Sequence, residues 1–527
     1  MRGPNKSKSR RDFLGNVGRG MIAASVGGTI ASDLGFSTAF AEEGTAELGT
    51  LSFGILEPLV EVMRDTPPDK LQALLVGKLR RGEATLKDMT AAGALANART
   101  FGGEDYDGFH CMFALVPALE MSAELPKQER ALPVLKVLYR NTARMQSVRA
   151  KDPRDVLRPV TPAALPPNAN VSELIREASR NGDVALADRL VVALAQRSPK
   201  EALQALQVVV RDRPNVHSVA LTHRAWEVID LIGEEHAHVL LRQSVHFCTG
   251  KNRGYTHGGI DRDLQKVLEE HLEKFDGKIL GSSKAGDAWV AKAGHVIYGS
   301  SRVQAAGLVA DALAEGIAPE TVGEAIALAA NEIVLRQTAD RTHGDSKGVH
   351  ASDAVNAWRN IARVSPDRNQ FASLIVAAYH VGGAGKKVIG PGAPLSGDDD
   401  LLDLFREQAE ATKPDRALAE AEEAIRANDQ IRAAAAVLRY SELKKDNPRP
   451  VFDLLLKYAV SEDGRLHAEK YYRTVTEEFA SIRPAYRWRE LIALARVTAS
   501  CYGMTRKDKK GGRAPGYLDA RKLLNLA

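Results

Sequence analysis

Cysteine is nearly missing from this sequence: Cys111, Cys248 and Cys501 are the only three in 527 residues. A disulfide framework is therefore excluded, and at most one bridge can form. No Cys-x-x-Cys or Cys-x-x-Cys-His occurs, which argues against thioredoxin-type exchange and covalently attached c-type haem. There is no His-Glu-x-x-His, so a zinc-protease helix is out. The absence of a Gly-x-Ser-x-Gly elbow weakens a cofactor-free hydrolase or lyase. Aromatics are scarce at 6% and do not interleave with a basic patch, so nucleic acid is not an expected partner. Alternating strand patterns are nearly absent as well.

The N-terminus carries the most specific signal. Arg2, Lys6 and Lys8 lead into Ser9-Arg10-Arg11-Asp12-Phe13-Leu14, followed by a modestly apolar stretch from Met21 to Phe40 and then Ala39-Phe40-Ala41. Basic region, apolar region and small-x-small site together make a secretory signal. The paired arginines before Phe-Leu resemble the twin-arginine motif, an address read by the export machinery for folded proteins. Asp33 and several glycines interrupt a segment that barely reaches the roughly 20 apolar residues a bilayer span needs, so no permanent membrane span is expected. The expectation is a leader over residues 1–41 and a periplasmic or otherwise exported protein. Proteins resembling this class of precursor often take up a cofactor before export, which points toward a metal or redox centre. The leader carries six Lys/Arg and two Asp/Glu; subtracting that +4 from the chain's +5 leaves about +1 for the remainder.

What is abundant is Ala, Leu, Glu, Arg and Lys, with apolar residues recurring at three- and four-residue spacing, as in Leu71-Leu74-Leu75-Leu79 and Leu186-Leu190-Ala193-Leu194. The predicted fold class is all-α: a multi-helix bundle with a helical-hairpin, α-solenoid-like C-terminal part. Pro/Gly-rich loops at 152–170, 249–259 and 382–397 divide it. An N-terminal helical part spans 42–150, a central part 151–390 and a C-terminal part 391–527. Residues 171–212 read as two short antiparallel helix pairs. Helices are expected near 414–427, 429–444, 449–460 and 466–482.

A faint repeat runs through the chain. Gly82 to Asn97 and Gly316 to Asn331 have the same length, and each is followed by an acid-containing loop and Gly-apolar-His: Gly108-Phe109-His110 and Gly348-Val349-His350. A true repeat would bring the two histidines together. Thirteen histidines are present, many beside apolar helical residues, among them His110, His217, His223, His236, His238, His246, His295, His350 and His380. Glu235-x-x-His238 has di-iron spacing, yet no second Glu-x-x-His exists. A mononuclear centre of iron or copper is the remaining metal reading, with His238, His246, His110 and His350 as ligands and Glu120 and Glu235 orienting them. Loop residues Arg253, Tyr255 and His257, and the cluster Asp340 to Asp345 around His343, suit proton transfer or anion positioning.

Two segments resemble the questin oxidase-like family. One is His110-Cys111-Met112-Phe113-Ala114-Leu115-Val116-Pro117-Ala118-Leu119-Glu120, with Ala114 where that family carries a second His. The other is His350-Ala351 followed by Asn356-Ala357-Trp358-Arg359. The resemblance implies a helical protein with oxygenase-like chemistry, and pocket roles for His110, Glu120, His350, Asn356 and Arg359. The segment from Gly316 to Arg336 is also similar to the Gly-x-x-x-Glu pattern of carboxymuconolactone decarboxylase-like bundles, without their Cys–His signature. The expected function is an exported oxidoreductase acting on a small-molecule substrate in a histidine-lined pocket. His110, His350, Glu120, Arg359 and His257 are the catalytic candidates, with Arg359 binding an anionic group. The rival is a non-catalytic helical-repeat scaffold.

Overall fold

In a computed structural model, the described residues are 49–249, 260–338, 346–384, 402–462, 466–503 and 516–526. The expected leader over residues 1–41, the loop bearing Arg253, Tyr255 and His257, the Asp340–Asp345 cluster and most of the 382–397 loop lie outside them. Within them are 23 α-helices and no strand, only an isolated bridge between Ser283 and Ile317.

The helix limits follow from local chemistry. Asn170 caps Val171–Asn181 at its start, and Gly182 (φ 77°) closes it. Asp183 caps Val184–Arg197, and Ser198 both ends that helix and caps Pro199–Asp212. A side-chain oxygen at each start accepts an N–H that the helix leaves unpaired. Residues 171–212 thus make three helices rather than two pairs, because Ser198-Pro199 supplies a cap and an N1 proline back to back. In the C-terminal part the helices are Asp403–Glu407, Pro414–Arg426, Gln430–Leu443, Arg449–Ser461, His467–Ser481, Arg487–Cys501 and Tyr517–Leu523.

Four helices are buried on almost every side: Leu86–Phe101, Ala237–Thr249, Pro319–Arg336 and Arg487–Cys501. Small residues such as Ala91, Ala92, Ala94, Ala96 and Ala98 let neighbours approach from all directions. A Cβ at Gly93 would sit 2.5 Å from the Leu138 side chain, so glycine there sets the spacing to Ala131–Arg149.

Four helices form a closed cycle at the centre. Tyr106–Glu124 packs on Val216–Ile232 and on His467–Ser481; Lys347–Arg363 packs on the same two. Each has its own backing. Leu86–Phe101 and Ala131–Arg149 support the first, Ala237–Thr249 the second, Pro319–Arg336 and Asp367–Val381 the third, and Arg487–Cys501 the fourth. The cycle draws one helix from the N-terminal part, two from the central part and one from the C-terminal part. Lys136 and Glu469, both fully buried, form an ion pair that ties the first of these parts to the last.

Candidate active site

Each helix of the cycle brings a histidine near its start. Asp105 caps Tyr106–Glu124, accepting from the Gly108 N–H at 2.8 Å while Arg144 clamps it at 2.8 and 2.6 Å. His110 follows in the second turn. Asn215 caps Val216–Ile232 and its Oδ1 accepts from the His217 N–H at 2.8 Å. Ser346 caps Lys347–Arg363, which carries His350. His467 is the first residue of its helix and follows Leu466, buried at φ 66°. A left-handed leucine costs of order 1–3 kcal/mol and persists only where its surroundings hold it.

The four imidazoles close a ring. Centroids lie 5.1 Å apart for His110–His217, 5.8 Å for His217–His350, 5.6 Å for His350–His467 and 5.4 Å for His467–His110. Tyr106 covers His110 at 4.4 Å, and Phe109 stacks on it at 4.9 Å.

Hydrogen bonding decides two tautomers. His110 Nδ1 is 2.7 Å from the Tyr106 carbonyl, which can only accept, so Nδ1 carries the proton. His110 Nε2 is then a lone-pair nitrogen, buried without a hydrogen-bond partner. His217 Nδ1 is 3.0 Å from Asn215 Oδ1, whose orientation the backbone N–H fixes, so Nδ1–H donates there as well. Burial, reinforced by the Lys470 charge, pushes His110 well below the ordinary imidazole range and keeps it neutral.

A cavity of about 20 Å³ adjoins the ring on its His217–His350 side, lined also by His223, Arg224, Asp353, Lys470 and Thr474 against Phe113, Val216, Ala220 and Ala357. That volume admits about one water-sized occupant. Burial pushes the Lys470 ammonium down to about 8 despite Asp353 and Glu469. Burial also raises the Asp353 carboxyl, although Lys470 opposes this and Thr474 Oγ1 donates to it at 2.8 Å. Arg224 pairs with Glu227. A lone-pair imidazole beside an amine with a midpoint near neutrality is a set of groups suited to proton transfer.

Of the residues expected at the site, His110 and His350 stand in the ring. His246 does not: its Nε2 lies 2.8 Å from Asp188 and its Nδ1 3.0 Å from Glu104. Two carboxylates on two ring nitrogens require an imidazolium, raised to about 9, with no lone pair for a metal. His238 lies outside the ring on the backing helix Ala237–Thr249, pushed to about 4 by burial and Arg242. Glu235 is exposed. Glu120, near the far end of its helix, has a 47% exposed side chain with Arg473 at 3.8 Å. Arg359 is buried in an ion pair with Glu478, which also accepts from Asn356 at 3.0 Å; it holds the fold together rather than facing an anion. His257 falls outside the described residues.

The ring members that sequence reasoning left unassigned are His217 and His467, with Lys470 and Asp353 beside them. The available signal was position. All four ring histidines fall within the first five residues of a helix, and three of those helices open on Asp105, Asn215 or Ser346. Among the described residues, no three His, Cys, Asp or Glu side chains have their donor atoms gathered as a metal-holding group. The three cysteines are buried and form no disulfide. No described helix is long and apolar enough to cross a membrane.

Fold and site together define an all-α bundle built around a ring of four histidines, His110 and His467 buried and His217 and His350 half-buried. No family model, curated protein or solved structure matches the chain.

Proposed function

We propose that this protein is an exported oxidoreductase acting on a small molecule, with its active site at the histidine ring and the cavity beside it. The cavity as it stands admits about one water-sized molecule, so a larger substrate requires it to open. The observation that carries the reading is the ring itself. Four imidazoles from four helices meet with neighbouring centroids 5.1–5.8 Å apart, and one of them, His110, keeps a buried lone pair with no partner. A buried acceptor left unmet costs about 1–3 kcal/mol, which a group bound at His110 Nε2 would offset. Oxidation needs an external electron acceptor such as dioxygen, and a single iron or copper ion, the class that imidazole-rich sites serve, would pass the substrate's electrons to it. Lys470 and Asp353 would move protons at the bound substrate. The leader with Arg10-Arg11 supports loading in the cytoplasm and export after folding.

The test is oxygen uptake and dye reduction by the exported, metal-replete chain across oxidisable small molecules. Turnover should fall at least 100-fold in His350→Ala and Lys470→Met and persist in Glu120→Gln. Redox inertness of the metal-replete wild type, or full activity in both variants, would refute the reading and favour a non-catalytic scaffold.

A further inference from the structure

We infer that His110, His217, His350 and His467 together form the ligand set for one divalent first-row transition ion, with Tyr106 and Asn215 as the groups that aim them. The assignment rests on the oxidoreductase reading for its purpose, but its geometry stands alone.

Bonds of about 2.0–2.1 Å from imidazole nitrogen to metal place neighbouring ring centres about 4.5–5.2 Å apart, from square to tetrahedral arrangements. Of the observed separations, 5.1 Å falls within this range, and 5.4, 5.6 and 5.8 Å lie above it. Closing the ring calls for shifts of a few tenths of an ångström to about 1 Å, within reach of side-chain rotation. The donor atoms do not stand gathered as a liganding group among the described residues, so binding requires those shifts.

Tautomers and supporting bonds fit the same occupant. A ligating histidine commonly donates its other N–H to a carbonyl or carboxylate, which fixes the ring and strengthens the donor nitrogen. His110 does so to the Tyr106 carbonyl at 2.7 Å and His217 to the Asn215 side chain at 3.0 Å. Both are thereby set to offer Nε2. Neutral imidazole suits zinc, copper, iron and nickel and does not select calcium or magnesium. Lys470, whose charge bears on His110, has Asp353 and Glu469 as acidic neighbours.

His246 and His238 supply the internal controls, since neither lies in the ring. The full chain, stripped with chelator, is titrated with Co2+ and Cu2+. One equivalent of each is expected, with the visible absorption of nitrogen-ligated Co2+ and an electron-spin signal from Cu2+ split by three or four imidazole nitrogens. His217→Ala and His467→Ala should weaken binding at least 100-fold, and Asn215→Ala about 10- to 100-fold. His238→Ala should leave it unchanged. Counting nitrogens on the wild type needs no variant and decides the matter even if one fails to fold. Binding with fewer than three imidazoles, or binding that survives both ring substitutions, overturns this ligand set while leaving the oxidoreductase reading intact. Absence of stoichiometric binding also overturns it, and redox turnover by the same preparation then separates failure of the ligand set from failure of the enzyme reading.

Discussion

The His246 cluster makes stability depend on pH in a direction that can be worked out in advance. Asp188 accepts from His246 at 2.8 Å and from Arg242 at 2.6 Å, while Glu104 takes the other imidazole nitrogen at 3.0 Å. Moving the midpoint of a buried histidine from 6.5 to about 9 is worth about 3 kcal/mol, at about 1.4 kcal/mol per pH unit. The native state holds this proton more tightly than the unfolded chain does. The stabilisation is therefore complete below pH 6.5 and is lost as pH rises through 9. Between pH 6.5 and 8 the expected loss from this residue is about 1.5 kcal/mol. Other groups titrate nearby. Glu490, raised to about 7 by burial, loses stabilisation in the same direction as pH climbs through 7. Lys470, lowered to about 8, acts oppositely, since above that midpoint the unfolded chain binds the extra proton. Comparing wild type with His246→Gln subtracts both. Denaturant unfolding at pH 6.5, 7.25 and 8 should show a slope in the wild type that is about 1.5 kcal/mol shallower over the window in the variant. Equal slopes, or a labelled His246 resonance titrating near 6.5, would refute the reasoning.

Two further outcomes are expected. Lys136→Met strands the Glu469 carboxylate in a fully buried site and should cost about 3–5 kcal/mol in denaturant unfolding; adding Glu469→Leu should recover most of that loss, and no recovery would mean that the pair is not the cause. Gly348→Ala puts a Cβ 2.8 Å from the Val334 backbone and should destabilise by about 1–3 kcal/mol, whereas Gly307→Ala, a helical glycine with nothing within 4 Å, should stabilise by about 0.4–1 kcal/mol, read as opposite shifts in Tm.

Much of the architecture was legible because helix chemistry is local. Asn170 and Gly182 bracket one helix, Asp105 and Ser346 open two others, and the 414–482 region resolves into helices within a residue or two of the expected limits. The Gly-apolar-His likeness also has a physical basis. At both places the glycine sits against the preceding helix, Gly108 on the Phe101 ring and Gly348 on the Val334 backbone, so each hairpin can close tightly just before its histidine. The two helices do extend past the expected Asn97 and Asn331, to Phe101 and Arg336. The role of His246 was not legible, because its partners Asp188 and Glu104 are 58 and 142 residues away. His110 and His350 were named from the Gly-apolar-His likeness, but the whole ring was not legible, since its members come from three different parts of the chain.

Periodicity, caps and the scarcity of alternating patterns are enough to specify an all-α chain, since each depends on neighbours within a turn or two. Which histidines meet depends on how four distant helices pack, a matter of shape and burial that no local spacing encodes. Chain order lists His246 and His467 as equals. Packing makes one a charged partner of two carboxylates and places the other in a ring of imidazoles, because the groups that surround a side chain, not its identity, determine its protonation and its chemistry.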